Sequence, residues 1–325
     1  MKRIVYFFLA LVLVSCKANR QQVCETDQAQ LFSDSDLVRE TPLTRIAVTS
    51  ATHIGFLKAL DRLDVVVAMT SPDLIYNKPE QAVADIGEDI NLNLEQLLLV
   101  QPEAILITNY GQPLPNIDRI KAAGIEVIEL QEWKEQTPLA RADWIRYFGA
   151  LVGEKEKADS IIASVRHRYH QLSATYAHKE EREGGRGNSI MSGASFRGTW
   201  YVPSGGTYMG RLFKDAGADY PYYNDMRQAS IPLTFEAVLQ QFGNADVWVG
   251  CNARTYAELL ALDEHHAWFR AYQTQQVYNW YKLTTPTGAN NFWERGIVHP
   301  DEMLEDLMTI LYAQPDELHY AAPLE

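Results

Sequence analysis

The sequence predicts an α/β fold of two lobes, each a mostly parallel sheet covered by helices, joined by one long connecting α-helix. Three observations predict it. Short apolar runs alternate with helical patterns from Arg45 to Leu130, one helical stripe runs from Glu154 to about Lys179, and the alternation starts afresh at Ser189. Apolar runs separated by helices mark the buried strands of parallel sheets. A chain of 325 residues is also longer than one core ordinarily fills.

Taken in order, Arg45–Thr49 reads as a strand and His53–Leu63 as a helix with Phe56, Leu57 and Leu60 on one face. Val65–Met69 is a second strand, Leu94–Val100 a short helix ending before Pro102, and Ala104–Thr108 a third strand. Ile117–Ala123 is helical and stops at Gly124, the residue type that closes helices most readily, and Glu126–Leu130 is a fourth strand. Ile161, Val165, Tyr169, Leu172 and Tyr176 then recur at spacings of three and four, which is one helical face. Roughly 25 residues of helix reach about 37 Å. The run Glu180–Asn188, rich in charge and glycine, breaks it. Beyond it, Ser189–Ser192, Asp246–Val249 and Gln276–Tyr278 read as strands, and Tyr208–Ala216 and Phe235–Phe242 as helices. A closing helix runs from Pro300, which suits a first turn, to Ala313. The expected boundaries are a signal segment at 1–16, a polar tether at 17–43, an N-terminal lobe at 44–153, the connecting helix at 154–183 and a C-terminal lobe at 184–325.

The N-terminal segment fixes the expected compartment. Lys2 and Arg3 precede the uncharged apolar run Ile4–Val14, and Leu13-Val14-Ser15-Cys16 follows. The run is shorter than the ~20 residues that span a bilayer but suits a signal-peptide core. A small residue before cysteine resembles the lipobox of bacterial lipoproteins, which implies lipidation of Cys16 and a membrane-anchored protein facing the periplasm or the cell exterior. The polar stretch Lys17–Thr41 reads as a solvated tether. A net charge of −13 argues against nucleic acid or an anionic membrane surface as partner. Of the other cysteines, Cys24 falls in the tether, and Cys251, near a strand end, is expected to be buried and unpaired rather than bridged to Cys24.

Three segments carry a family likeness. Asn91-Leu92-Asn93-Leu94-Glu95-Gln96-Leu97 precedes Gln101-Pro102-Glu103-Ala104-Ile105-Leu106-Ile107, and Pro232-Leu233-Thr234-Phe235-Glu236-Ala237-Val238 precedes Asn244-Ala245-Asp246-Val247-Trp248-Val249. Asn290-Asn291-Phe292-Trp293-Glu294-Arg295-Gly296 leads through Val298 and Pro300 into the closing helix. In order and spacing, over nearly all of residues 44–314, the chain resembles the substrate-binding lipoproteins and periplasmic proteins of ABC importers for ferric siderophores, haem and vitamin B12. The resemblance implies a solute-binding component, not an enzyme, that needs no cofactor. Its ligand would be a metal chelate, a ferric siderophore or cobalamin ahead of haem, delivered to an ABC permease and its ATPase. It gives Glu95 and Glu236 the task of meeting arginine pockets of the permease, one from each lobe, by bidentate carboxylate–guanidinium pairing. The alternative for either residue is an acid favoured by the dipole of a helix's first turn. A rigid helical connector implies modest closure around a largely preformed cleft.

Ligands of two-lobe α/β proteins sit at the C-terminal ends of the strands. The side chains expected there are Tyr76, Tyr110, Trp133, Phe196, Arg197, Trp200, Tyr201 and Arg227. Aromatic walls suit a large planar or macrocyclic ligand, and arginines suit its carboxylates or catecholates. No metal site is expected. His53, at a strand end, is the one weak candidate for approaching a metal, with helix capping as its more ordinary role, and the pairs His167/His170 and His265/His266 lack further ligands. Two other readings stay open. One is a tethered hydrolase, for which Gly193 and Ser195 begin a nucleophile elbow but Arg197 stands where a glycine is needed. The other is a stand-alone lipoprotein that scavenges chelates without a transporter.

Overall fold

A computed structural model of the chain describes residues 32, 37–109, 111, 115–183, 188–313 and 317–325. Cys16, Cys24 and Tyr110 lie outside the described residues. The first lobe is built from β1 (Ile46–Val48), α1 (Ala51–Ala59), β2 (Val66–Met69), β3 (Ala84–Asp85), β4 (Gly87–Glu88), β5 (Asn91–Leu92), α2 (Leu94–Val100), β6 (Ala104–Thr108), α3 (Ile117–Ala122) and β7 (Glu126–Leu130). Its main sheet has the order β3-β2-β1-β6-β7, and all its pairings are parallel. The chain leaves β1 toward one edge and returns to its other side with β6, so the switch in direction falls between these two strands. The crevice beyond their carboxyl ends is where such sheets hold ligands. Ser50 sets the start of α1 there by accepting a hydrogen bond from Thr52 N, and Asp61, at φ 56°, turns the chain away soon after the helix ends. The expected helix at 53–63 is therefore shorter and begins earlier.

Helices α4 (Pro138–Asp143) and α5 (Ile145–Val152) follow, and then α6 (Lys155–Glu183), a single helix of 29 residues. Ala158, Ile162, Val165 and Tyr169 are buried on its inward face, and the Tyr169 hydroxyl donates to Asp215 in the second lobe (2.8 Å).

The second lobe contains β8 (Ile190–Ser192), β9 (Ser195–Phe196), β10 (Thr199–Val202), α7 (Tyr208–Asp215), β11 (Ile231–Leu233), α8 (Phe235–Phe242), β12 (Val247–Val249), α9 (Tyr256–Leu262), α10 (Arg270–Gln273), β13 (Val277–Asn279), α11 (Arg295–Val298), α12 (Pro300–Tyr312) and β14 (Ala322–Pro323). Its main sheet, β14-β13-β12-β8, is parallel except for β14. A small antiparallel sheet, β11-β10-β9, stands beside it. The two-residue turn between β9 and β10, Arg197-Gly198, has positive φ at both positions (51° and 81°), as a type I′ hairpin requires. The Asp306 carboxylate accepts the backbone N–H groups of His319, Tyr320 and Ala321 at 2.6–3.0 Å, which brings β14 back onto the sheet. This two-lobed α/β architecture with its long joining helix is the fold class that the sequence predicts.

One expectation needs correction. The polar tether does not extend to residue 43, because Leu37 and Leu43 are buried, and Phe32 packs against Trp144 and Tyr147 at 5.1 and 5.6 Å. Arg39 pairs with Glu126 at 2.7 Å and Leu43 N donates to Leu151 O at 2.8 Å, so residues 37–43 belong to the folded body. Cys251 is a buried free thiol, which burial pushes up to about 11.

Two histidines give stability a pH dependence. Burial lowers His53, and it lowers His299 to about 4 against the opposing pull of Glu302. In the unfolded chain a histidine takes up its proton near 6.5, so the unfolded state binds the proton first. The contribution of His299 is complete above about pH 6.5 and is lost as pH falls toward 4. We predict that unfolding free energy drops between pH 7 and pH 4.5, with roughly 2–3 kcal/mol of the drop due to His299. Urea titrations of the parent and of His299→Gln across that range check this; superimposable pH profiles would overturn it.

Candidate functional site in the cleft between the lobes

A cavity of about 510 Å³ opens between the lobes. Thr52, Trp133, Lys134, Glu135 and Arg141 line it from the first lobe, and Tyr201, Tyr208, Met209, Gln228, Ser230, Trp293, Ile297 and Met303 are among the residues that line it from the second. On the first side, the Thr52 hydroxyl donates to the buried carboxylate of Glu132 (3.1 Å), which holds the loop after β7 against the start of α1. That loop presents Trp133, whose indole N–H donates to Asn109 O (3.0 Å) while its ring stays 37% exposed. Glu135 accepts from Trp144 Nε1 (3.1 Å), and Lys134 lies over the Trp133 ring.

Arg141 is the unusual member. It comes from α4, whose start is fixed by the Thr137 hydroxyl and by Pro138 in the first turn. Its guanidinium lies 5.3 Å from the centre of the Tyr208 ring, and its buried Nε has no hydrogen-bond partner. Among the described residues no carboxylate pairs with it. The guanidinium therefore brings a positive charge to the cavity wall beside an aromatic face. Tyr208 donates its hydroxyl to Met303 Sδ (3.0 Å), and burial pushes its ionisation well above the ordinary range, so it serves as a neutral wall.

The floor is the segment 290–296. Asn290 accepts from Phe292 N (2.9 Å) and donates to Trp280 O (2.8 Å), which fixes the turn and stacks Phe292 on Trp280 at 4.8 Å. Trp293, 60% exposed, then faces the cavity. Glu294 points the other way and is fully buried. Its carboxylate accepts the backbone N–H groups of Tyr76 (2.6 Å) and Asn77 (2.8 Å) and the Asn77 side-chain amide (2.7 Å), which also donates to Asn291 (2.8 Å). Burial raises the ionisation of Glu294, and these donors oppose it. This clasp ties the two lobes together directly beneath the cleft. The packing there is close, for a Cβ on Gly55 of α1 would lie 2.1 Å from Glu294 O.

Of the side chains expected in the cleft, Trp133 and Tyr201 line it, and the others that the structure describes do not. Trp200 is buried, packed against Trp248 and donating to Ser192 O (2.9 Å), because successive residues of β10 point to opposite faces and Tyr201 takes the outer one. Phe196 and Arg197 form the exposed tip of the β9–β10 hairpin, with the guanidinium 5.1 Å from the Phe196 ring. Tyr76 serves the clasp through its backbone, and Arg227 pairs with Asp225 (2.8 Å) away from the cavity wall. His53 is wholly buried, 3.3 Å from Thr108 Oγ1 and 3.9 Å from Glu132, and burial keeps it neutral and out of reach of a ligand. Among the described residues no group of three or more His, Cys, Asp or Glu side chains could hold a metal ion. Glu95 and Glu236 occupy equivalent places, each exposed in the first turn of a helix capped by Asn93 or Thr234. Its own backbone N–H and the Thr234 hydroxyl hold Glu236 below the usual carboxylate range.

Comparison with known proteins places this geometry in context. The model of a family described as periplasmic binding protein matches residues 46–282. An uncharacterised lipoprotein of Methanocaldococcus jannaschii is 21% identical over 299 residues, which span 87% of this chain and 68% of that protein. A periplasmic haem-binding protein from Pseudomonas aeruginosa is 17% identical with a TM-score of 0.64, covering 87% of this chain and 98% of the other. A periplasmic vitamin B12 binding protein from Vibrio cholerae is 17% identical with a TM-score of 0.60, covering 83% and 96%. At these identities the structural likeness speaks for the fold.

The clasp yields a prediction. Glu294→Ala strands the half-buried backbone donors of Tyr76 and Asn77 and should cost about 2–3 kcal/mol of unfolding free energy, whereas Glu294→Gln keeps one acceptor and should cost less. Chemical denaturation of both variants measures this. A loss below about 1 kcal/mol for the alanine variant would show that the clasp does not hold the lobes.

Proposed function

The chain belongs to the periplasmic binding protein family, solute-binding proteins that work outside the cytoplasm and are not enzymes, and we propose that it captures a metal chelate in the inter-lobe cleft and delivers it to an ABC permease. The family assignment removes the hydrolase alternative. One observation carries the ligand class: the cleft combines five aromatic walls, Trp133, Tyr201, Tyr208, Phe292 and Trp293, with the guanidinium of Arg141, with which no carboxylate pairs among the described residues. Large rings fit a bulky chelate, and the cations Arg141 and Lys134 favour one with an anionic group, such as a ferric siderophore, over neutral cobalamin. The haem- and vitamin B12-binding proteins of like fold support a chelate in this place.

Delivery to the permease and its ATPase rests on Glu95 and Glu236, two exposed carboxylates at matching helix starts in the two lobes. Anchoring through Cys16 fits the relative named as a lipoprotein. The inter-lobe clasp and the continuous α6 favour small closure over a wide hinge motion.

Two measurements test the proposal. Tryptophan quenching of the purified protein titrated with cyanocobalamin, haemin and ferric siderophores should show one-to-one saturation by one chelate. Arg141→Gln should weaken an anionic chelate by about 10–100-fold. Saturation by none of these would sink the chelate reading, and an unchanged affinity in the variant would remove Arg141 from recognition. The paired change Glu95→Gln/Glu236→Gln should leave that affinity intact yet lower cellular uptake of the bound chelate at least tenfold, a loss of ~1.4 kcal/mol or more in coupling. Unimpaired uptake would remove both glutamates from delivery.

A further inference from the structure

Thr52 lines the cleft from the first turn of α1, and its hydrogen bonds leave its hydroxyl one role toward a ligand. The Glu132 carboxylate, 1% exposed, can only accept, so Thr52 gives its single hydroxyl proton to Glu132 Oε1 (3.1 Å). Ser50 Oγ lies 2.8 Å from Thr52 Oγ1, and with the Thr52 proton already placed, Ser50 is the donor of that bond. Ser50 in turn accepts from Thr52 N (3.3 Å). The relay therefore runs one way, from Ser50 through Thr52 to Glu132. A hydroxyl oxygen has two acceptor positions, and Ser50 fills one of them, so whatever else reaches Thr52 Oγ1 has to donate. Behind Thr52, Glu132 Oε2 is buried without a hydrogen-bond partner, and among the described residues no Lys or Arg pairs with this acid. His53 Nε2, kept neutral by burial, is 3.9 Å away. Reversing the relay would take from the buried carboxylate its one hydroxyl donor, which fixes the direction. A helix start ordinarily favours an anion, but here the carboxylate bonded to Thr52 opposes one.

We propose that Thr52 is a specificity-determining residue of the cleft, an acceptor reserved for a hydroxyl or amide N–H group of the ligand. The inference deepens the capture role proposed above and rests on it: the ligand carries a hydrogen-bond donor for Thr52 as well as an anionic group for Arg141 and Lys134. The carboxylate behind the hydroxyl polarises it and strengthens it as an acceptor. A ligand that presents only ether or carbonyl oxygens at this point sets acceptor against acceptor and is disfavoured.

The test titrates the purified protein with two aromatic acids of equal charge, protocatechuate (a dihydroxybenzoate) and veratrate (its dimethoxy analogue), followed by ligand-observed proton NMR. Both offer a ring to the aromatic walls and a carboxylate to the cations, and only protocatechuate can donate from its ring substituents. Protocatechuate should bind about tenfold more tightly. Thr52→Val keeps the shape of the side chain without its hydroxyl, and should bring the two affinities together by weakening protocatechuate alone. Thr52→Ser should keep the preference. Equal affinities in the parent, a preference that survives Thr52→Val, or no saturable binding of either acid overturns the proposal. The comparison in the parent depends on no variant. Neither probe carries a metal, so failure here leaves the chelate reading to be judged by the titration with metal chelates.

Discussion

The carboxylate of Glu294 is a buried charge whose partners are backbone N–H groups of the other lobe, and the cleft depends on that arrangement. A buried anion is tolerable only when donors surround it. The donors here come from a turn more than two hundred residues away, so the charge is satisfied only when the two lobes meet in one relation. Asn290 and Asn291 shape the segment, Phe292 locks it onto Trp280, and Trp293 is left facing the ligand space. One short stretch therefore both joins the lobes and builds the floor of the site.

On that floor the cleft sets apolar and aromatic surface beside two cations, Arg141 and Lys134, with which no carboxylate pairs among the described residues. Neighbouring charges are already engaged: Glu135 by Trp144, and Glu132 by Thr52. Arg141 is different, held against Tyr208 and left without an acid. The site thus gathers these cations within a protein of net charge −13.

Much of the frame could be read from the sequence because its strands are continuous apolar runs and its long helix repeats one stripe over many turns. Glu126–Leu130, Ala104–Thr108, Leu94–Val100 and Phe235–Phe242 stand where periodicity and terminating residues put them. The site was less legible. Helix α4 spans only six residues, too few for a periodic signal, so Arg141 passed unnoticed although Thr137-Pro138 is a helix-start pair. Trp200 and Tyr201 could not be assigned to faces without the pairing of β10 with its neighbours. The segment 290–296 was recognisable as a family pattern, but its mechanical role depends on Tyr76 and Asn77, a contact no local rule supplies. The polarity of residues 17–43 marks a tether and masks the buried anchors Leu37 and Leu43.

The contact at Gly55 sets the mechanical character of the whole molecule. Backbone presses on backbone there, so the lobes cannot approach further, while the Glu294 hydrogen bonds prevent them from drawing apart. Contact and clasp act at the same place, where α1 and the turn at Tyr76 and Asn77 meet the segment that carries Glu294. Under the proposed capture role, a frame held in this way spends little free energy on reorganising when it is filled.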